Sequence, residues 1–84
     1  MAEQLMFYTT AGCHLCEQAE AILRRVAAEQ PALRWIPVDI SDDPALVDAY
    51  GLRIPVIKVA DRAQDLGWPF DEATVKAYLS QAQG

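Results

Sequence analysis

Both cysteines of the chain fall in one short segment, Cys13-His14-Leu15-Cys16. Two thiols with two residues between them can close on each other when the first stands at a helix N-terminus and the second lies one turn in. Unpaired backbone N–H groups and the helix dipole stabilise a thiolate at such a place. The thiolate is the nucleophile of disulfide exchange, so the spacing suits redox chemistry. A zinc site is the poorer use of the same residues. Adjacent Cys13 and His14 cannot readily share one tetrahedral ion with Cys16, and no second C-x-x-C or histidine pair completes the four ligands.

Composition narrows the setting. The chain has 84 residues, which suits a single domain over 1–84, and 52% are apolar, enough for a core without cross-links. A start of Met1-Ala2-Glu3-Gln4 lacks the basic residues of a signal peptide, and no run has the length of a membrane-spanning helix. The expectation is a soluble, cytoplasmic, monomeric protein without a membrane partner. In that compartment thiols are kept reduced, so a lone disulfide is transient and catalytic rather than structural. Twelve acidic against seven basic residues give a net charge of −5, which disfavours nucleic acid as a partner. Arg24-Arg25 falls within a helical pattern and reads as a solvated face.

The elements that must position the thiols can be read in turn. Residues 4–8 carry Leu5, Met6, Phe7 and Tyr8 in succession, which predicts a central strand buried on both faces. Thr9-Thr10-Ala11-Gly12 is the turn, with Gly12 free to adopt an unusual backbone ahead of Cys13. A helix is expected over 13–29, with Leu15, Ala19, Ile22 and Val26 inward and Leu23 widening the stripe. Pro31 stops it. Residues 33–39 form a second strand, with Leu33, Trp35 and Pro37 on one face and Ile36 and Val38 on the other. Pro37 makes it an edge strand, parallel to the first with a right-handed crossover. Asp43-Pro44 starts a short helix with Leu46, Val47 and Tyr50 inward, and Gly51 caps its end. A third strand covers 56–59. A hairpin turn at Ala60-Asp61-Arg62-Ala63 leads to a short fourth strand over 64–67. Asp71 caps a last helix over 72–80 with Val75, Tyr78 and Leu79 inward.

The order is β-α-β-α-β-β-α, with C-x-x-C opening the first helix and Ile54-Pro55 leading the third strand. It resembles the thioredoxin superfamily, and the short length resembles small bacterial glutaredoxin-like proteins. The likeness runs from Leu5 to Leu79. It is carried by Phe7-Tyr8, Gly12 through Cys16, Val38-Asp39-Ile40, the segment from Tyr50 to Val56, and Gly67-Trp68 ahead of Phe70-Asp71. It implies an α/β thioredoxin fold with a four-stranded mixed sheet in order 2-1-3-4 and helices on both faces. It also implies a dithiol–disulfide oxidoreductase in which Cys13 attacks and Cys16 resolves. Spacing supports those roles, because Cys13 stands nearest the backbone donors and Cys16 one turn in.

The same resemblance assigns the remaining site residues. Ile54-Pro55 matches the family's cis-proline dipeptide, with Ile54 offering backbone groups to an extended substrate. Glutathione would be held by Arg53, Gly67 and Asp71, in a chain where Thr9 and Thr10 stand in place of the frequent lysine. His14 occupies the position of a common proline and has two readings. It is a cation that depresses the Cys13 thiol pKa, or a solvent-exposed first-turn residue. Tyr8 lines the site or fills the core. Trp35 and Trp68 read as packing residues, with Trp68 near the rim. The expected substrate is a protein disulfide or a glutathione mixed disulfide. No cofactor is expected, and glutathione is a candidate reductant beside a thioredoxin-reductase-type donor. The competing classes are a non-catalytic binding module of this fold, and a metal or iron–sulfur protein using Cys13.

Overall fold

The computed structural model describes residues 4–60 and 62–83, with side chains described through residue 80. The elements are β1 (Gln4–Thr9), α1 (His14–Glu29), β2 (Arg34–Asp39), a 3-10 turn (Ile40–Asp42), α2 (Pro44–Tyr50), β3 (Val56–Val59), β4 (Leu66–Gly67) and α3 (Glu72–Gln83). The sheet order is β2-β1-β3-β4. β1 lies at its centre, parallel to β2 and antiparallel to β3, and β4 is antiparallel to β3. This is the mixed four-stranded sheet and α/β thioredoxin fold expected from the element order. β2, with Pro37, is an edge strand.

Register divides the residues between the two faces. Leu5 and Phe7 of β1 pair across with Val59 and Ile57 of β3, and with Trp35 and Pro37 of β2. That face receives α1 through Cys16, Ala19, Leu23 and Val26, and α3 through Val75, Tyr78 and Leu79. The other face carries Met6 and Tyr8 beside Lys58 and Val56. It is covered by α2 alone, a helix of seven residues with none buried. Met6 and Tyr8 are therefore half-buried, and the expected burial of β1 on both faces holds on only one.

Two other expectations of burial are corrected. Leu15 is 45% exposed, and the buried stripe of α1 starts instead at Cys16. Positions 16, 19, 23 and 26 lie on one helical face; Leu15 falls about 20° outside it on the Val26 side, and Cys16, in the same first turn, lies on the opposite edge. Ile36, on the face that the short α2 covers only in part, and Val47, on α2 itself, are exposed.

Boundaries shift for identifiable reasons. β4 is two residues long rather than 64–67. The Gln64 carbonyl accepts from the Tyr78 hydroxyl at 2.7 Å instead of joining the ladder. The same hydroxyl accepts from the Val59 N–H at 3.0 Å, so Tyr78 fastens α3 to the sheet. The 3-10 turn before α2 was not expected. It is capped by Asp39, whose Oδ1 accepts from the Ser41 N–H at 2.9 Å and the Ser41 hydroxyl at 2.7 Å. Asp43 caps α2 by accepting from the Ala45 N–H at 2.9 Å, and Pro44 opens the helix. Gly51 closes α2 in right-handed backbone, where a Cβ would stand 2.5 Å from the Val47 carbonyl oxygen. A close approach, not a left-handed turn, requires glycine there. The turn expected at 60–63 includes Asp61, which lies outside the described residues.

Candidate active site

β1 runs into the loop that carries the dithiol. Gly12 takes a φ of +78°, the left-handed region that favours glycine, and so turns the chain into the head of α1. Cys13 is the N-cap, in extended backbone, and its carbonyl accepts from the Glu17 N–H at 3.3 Å. Its Sγ accepts from the Cys16 N–H at 3.1 Å. Cys13 and Cys16 are joined as a disulfide with Cα atoms 5.2 Å apart. Cys16 is buried against the core and Cys13 is half-buried at its edge. In this closed form the outer sulfur is partly exposed and beside a backbone donor, and the inner cysteine is buried.

A hollow of about 190 Å3 lies beside the pair, between the end of β1, the first turns of α1 and β2. Thr9, Thr10 and Gly12 form one side, and Glu17 and Glu20 line it from α1. In the sequence these acids read only as the outer face of the helix and not as site residues, although Glu20 follows Cys16 by one helical turn and shares its side of the helix. Glu20 also accepts from Arg24 Nη2 at 3.3 Å, as its spacing leads one to expect. The His14 side chain is 92% exposed, with Nδ1 3.7 Å from the Glu17 carboxylate. Its placement is that of a solvent-facing first-turn residue.

Ile54-Pro55 is a cis peptide, and it arrives at the same end of the sheet, directly before the Tyr8–Val56 pair. The Ile54 N–H donates to the Tyr50 carbonyl at 3.0 Å, and the Pro55 carbonyl accepts from the Trp68 N–H at 3.0 Å. Of the Ile54 backbone groups, only the carbonyl is left for a substrate strand, half of what the sequence suggested. Trp68 packs edge-to-face on Phe70, with ring centres 5.1 Å apart. Trp68-Pro69 is also cis. Trp35 is half-buried against the core.

Tyr8 belongs to the opposite face. Its ring stacks on Tyr50 with centres 4.4 Å apart. Burial raises the pKa of its phenol, and the neighbouring Tyr50 and Asp65 raise it further, so it stays neutral. Tyr50 in turn lies beneath the Arg53 guanidinium, 5.8 Å from ring centre to Cζ. Arg53 donates twice to Asp65, from Nη1 at 3.1 Å and from Nη2 at 2.5 Å. That pairing raises the Arg53 pKa. Gly67 lies beside the guanidinium: a Cβ there would stand 3.4 Å from Nη2, in ordinary contact. Arg53 and Gly67 are thus brought together, but around Asp65. Asp65 had no local signal in the sequence, because its partner is twelve residues away.

Asp71 stands apart from the dithiol. It lines a shallow hollow with Ile22 and Arg25, roughly two helical turns beyond Cys16. Its Oδ1 accepts from the Thr74 N–H at 2.8 Å and the Thr74 hydroxyl at 2.7 Å, capping α3. These bonds hold its carboxyl below the usual range. Among the described residues, no three His, Cys, Asp or Glu side chains cluster as metal ligands. No described helix is long and apolar enough to cross a membrane.

Comparison with known proteins agrees with this geometry. Structural-genomics target protein XcR50 from X. campestris shares 39% identity and superposes with a TM-score of 0.74, covering 92% of this chain and 96% of its own. Protein Ne2328 from Nitrosomonas europaea shares 25% identity with a TM-score of 0.78, covering 93% and 92%. Reduced desulfothioredoxin from Desulfovibrio vulgaris Hildenborough shares 19% identity with a TM-score of 0.70, covering 96% and 82%, and is alike in fold alone. No curated protein matches the chain. The glutaredoxin-like domain matches residues 4–80, a span that takes in the dithiol loop, the cis dipeptide and all but the last turn of α3. The chain therefore belongs to the glutaredoxin-like domain family, and its fold is that of thioredoxins.

Proposed function

We propose that this chain is a dithiol–disulfide oxidoreductase that works by thiol–disulfide exchange through Cys13 and Cys16. The observation that carries the reading is the closed pair at the head of α1, with a half-buried outer sulfur and a buried inner one. In the reduced protein the Cys13 thiolate, held by the Cys16 N–H, attacks a substrate disulfide and forms a mixed disulfide. Cys16 then attacks Cys13 and releases the second substrate thiol. The cis Ile54-Pro55 dipeptide at the same end of the sheet offers the Ile54 carbonyl to the substrate backbone. The substrate is a disulfide in a protein or a mixed disulfide with glutathione, and the setting is a reducing cytoplasm.

The test is a redox titration in glutathione buffers, read by alkylation and intact mass. Reversible closure with a midpoint of roughly −180 to −270 mV places the pair among exchange catalysts. Cys13→Ser should abolish turnover. Thiols that neither oxidise reversibly nor pair with each other would sink the proposal.

A further inference from the structure

Arg53 is the only Lys or Arg that the described residues place at the dithiol end of the sheet. Arg24 and Arg25 lie about two turns or more beyond Cys16 along α1. Arg34 opens β2 opposite Gln4, at the far end, and Lys58 pairs with Met6 in mid-sheet. Arg62 donates to the Tyr78 carbonyl, and Lys76 pairs with Glu29 at the close of α1. Arg53, 48% exposed, already donates two hydrogen bonds to Asp65, a side chain 19% exposed. What remains at this end is negative: Glu17 on α1, Asp39 at the end of β2, and Asp42 and Asp43 just after it. No Lys or Arg among the described residues pairs with these four. Two exposed apolar side chains flank the site in sequence, Leu15 within the dithiol segment and Leu52 two residues before Ile54.

Glutathione carries two carboxylates and one ammonium, so it approaches this end as an anion and finds no lysine or arginine among the described residues other than the one Asp65 already pairs. A cationic chain segment meets complementary charge and two apolar contacts. We infer that the site selects disulfides in neutral-to-basic polypeptides with an apolar residue beside the cysteine, and disfavours glutathione, because Asp65 withholds Arg53. The inference rests on the exchange chemistry proposed above. In each turnover the Cys13 thiolate forms a bond to one substrate sulfur as the substrate S–S bond breaks, and the departing thiolate takes a proton from solvent. Cys16 gives its proton to solvent, bonds to Cys13 Sγ, and expels the second substrate thiol. Two electrons pass to the substrate, the chain ends in its closed form, and an external dithiol reductant resets it.

The experiment needs one turnover only. The full chain is reduced with dithiothreitol, desalted, and mixed with one of three probes. These are a cyclic disulfide peptide flanked by Lys and Leu, the same peptide with Glu for Lys, and oxidised glutathione. Closure of Cys13–Cys16 is followed by alkylation and intact mass. The Lys peptide should react on the order of tenfold faster than the Glu peptide at low salt, with the ratio shrinking as salt is added. Oxidised glutathione should be slowest. Asp65→Asn should speed the glutathione reaction several-fold, and adding Arg53→Gln should reverse that gain. Glutathione matching or beating the Lys peptide in the unaltered chain overturns the inference while leaving exchange intact. A glutathione rate unmoved by Asp65→Asn in a folded variant overturns the role of Asp65. Failure of all three probes removes the exchange reading itself, which separates the two outcomes.

Discussion

The Cys13 side chain caps α1 and closes the disulfide, using one sulfur for both. The Cys16 N–H that caps through Sγ in the closed form is the donor that would hold a thiolate in the open one. Serine is itself a good N-cap, so Cys13→Ser should keep the helix while losing the nucleophile. Cys16→Ser leaves the attacking thiol without its resolving partner. It should accumulate a one-to-one mixed disulfide with a disulfide peptide, visible as an adduct by intact mass, where the unaltered chain shows almost none. Gly12 is a different kind of requirement. A Cβ there meets nothing within 4 Å, yet φ is +78°. Gly12→Ala should therefore cost about 1–2 kcal/mol through backbone strain alone, measured by urea unfolding.

Among the elements, α1 and α3 are tightly held and α2 is not. α1 sets Cys16, Ala19, Leu23 and Val26 into the sheet, and α3 adds Val75, Tyr78 and Leu79. Tyr78 also bridges the Val59 N–H and the Gln64 carbonyl, and Arg62 lies over its ring at 4.6 Å. Tyr78→Phe leaves the Val59 donor without its acceptor and should cost about 1–3 kcal/mol in chemical denaturation. α2 has no buried residue and seven residues in all, and its Tyr50 stack on Tyr8 is its main aromatic hold. Amide exchange should therefore run faster through α2 than through β1 or the middle of α1, measured by mass spectrometry. Equal protection in α2 and α1 would contradict this account.

For the whole molecule, acid is the condition that tests the caps. Ser41 holds the Asp39 carboxyl below its ordinary value through its hydroxyl and N–H, and Thr74 does so for Asp71 through its N–H and hydroxyl. A depressed carboxyl stabilises the folded chain fully above the unfolded value of about 3.9, and the contribution is lost as pH falls through the lower folded value. Asp71→Asn should flatten the fall in stability below about pH 4 and leave its shape near neutrality unchanged. Acid titrations followed by circular dichroism, for both chains, read this directly. An unchanged acid limb in Asp71→Asn would mean that the Thr74 bonds carry no pH dependence.

Sequence by itself determined what local spacing encodes. The C-x-x-C at a helix start, the apolar stripe from Ala19 to Val26, the Asp43-Pro44 and Asp71 helix starts and the β3 run are all patterns within a few residues, where period and capping act. The sheet order followed because one β-α-β crossover and a short hairpin leave few ways to connect four strands. Only the tertiary structure decided what depends on partners far along the chain. It exposed Leu15, which the spacing had turned inward, because the sheet selects which edge of a helical stripe is covered. It turned Tyr8 to the α2 face, shortened β4 through a bond from α3, and set Asp71 beside the middle of α1. It also joined Arg53 to Asp65 over Gly67. An ion pair between residues twelve apart has no periodic signature, so the charge that the sequence offered to a ligand is, in the folded chain, already held.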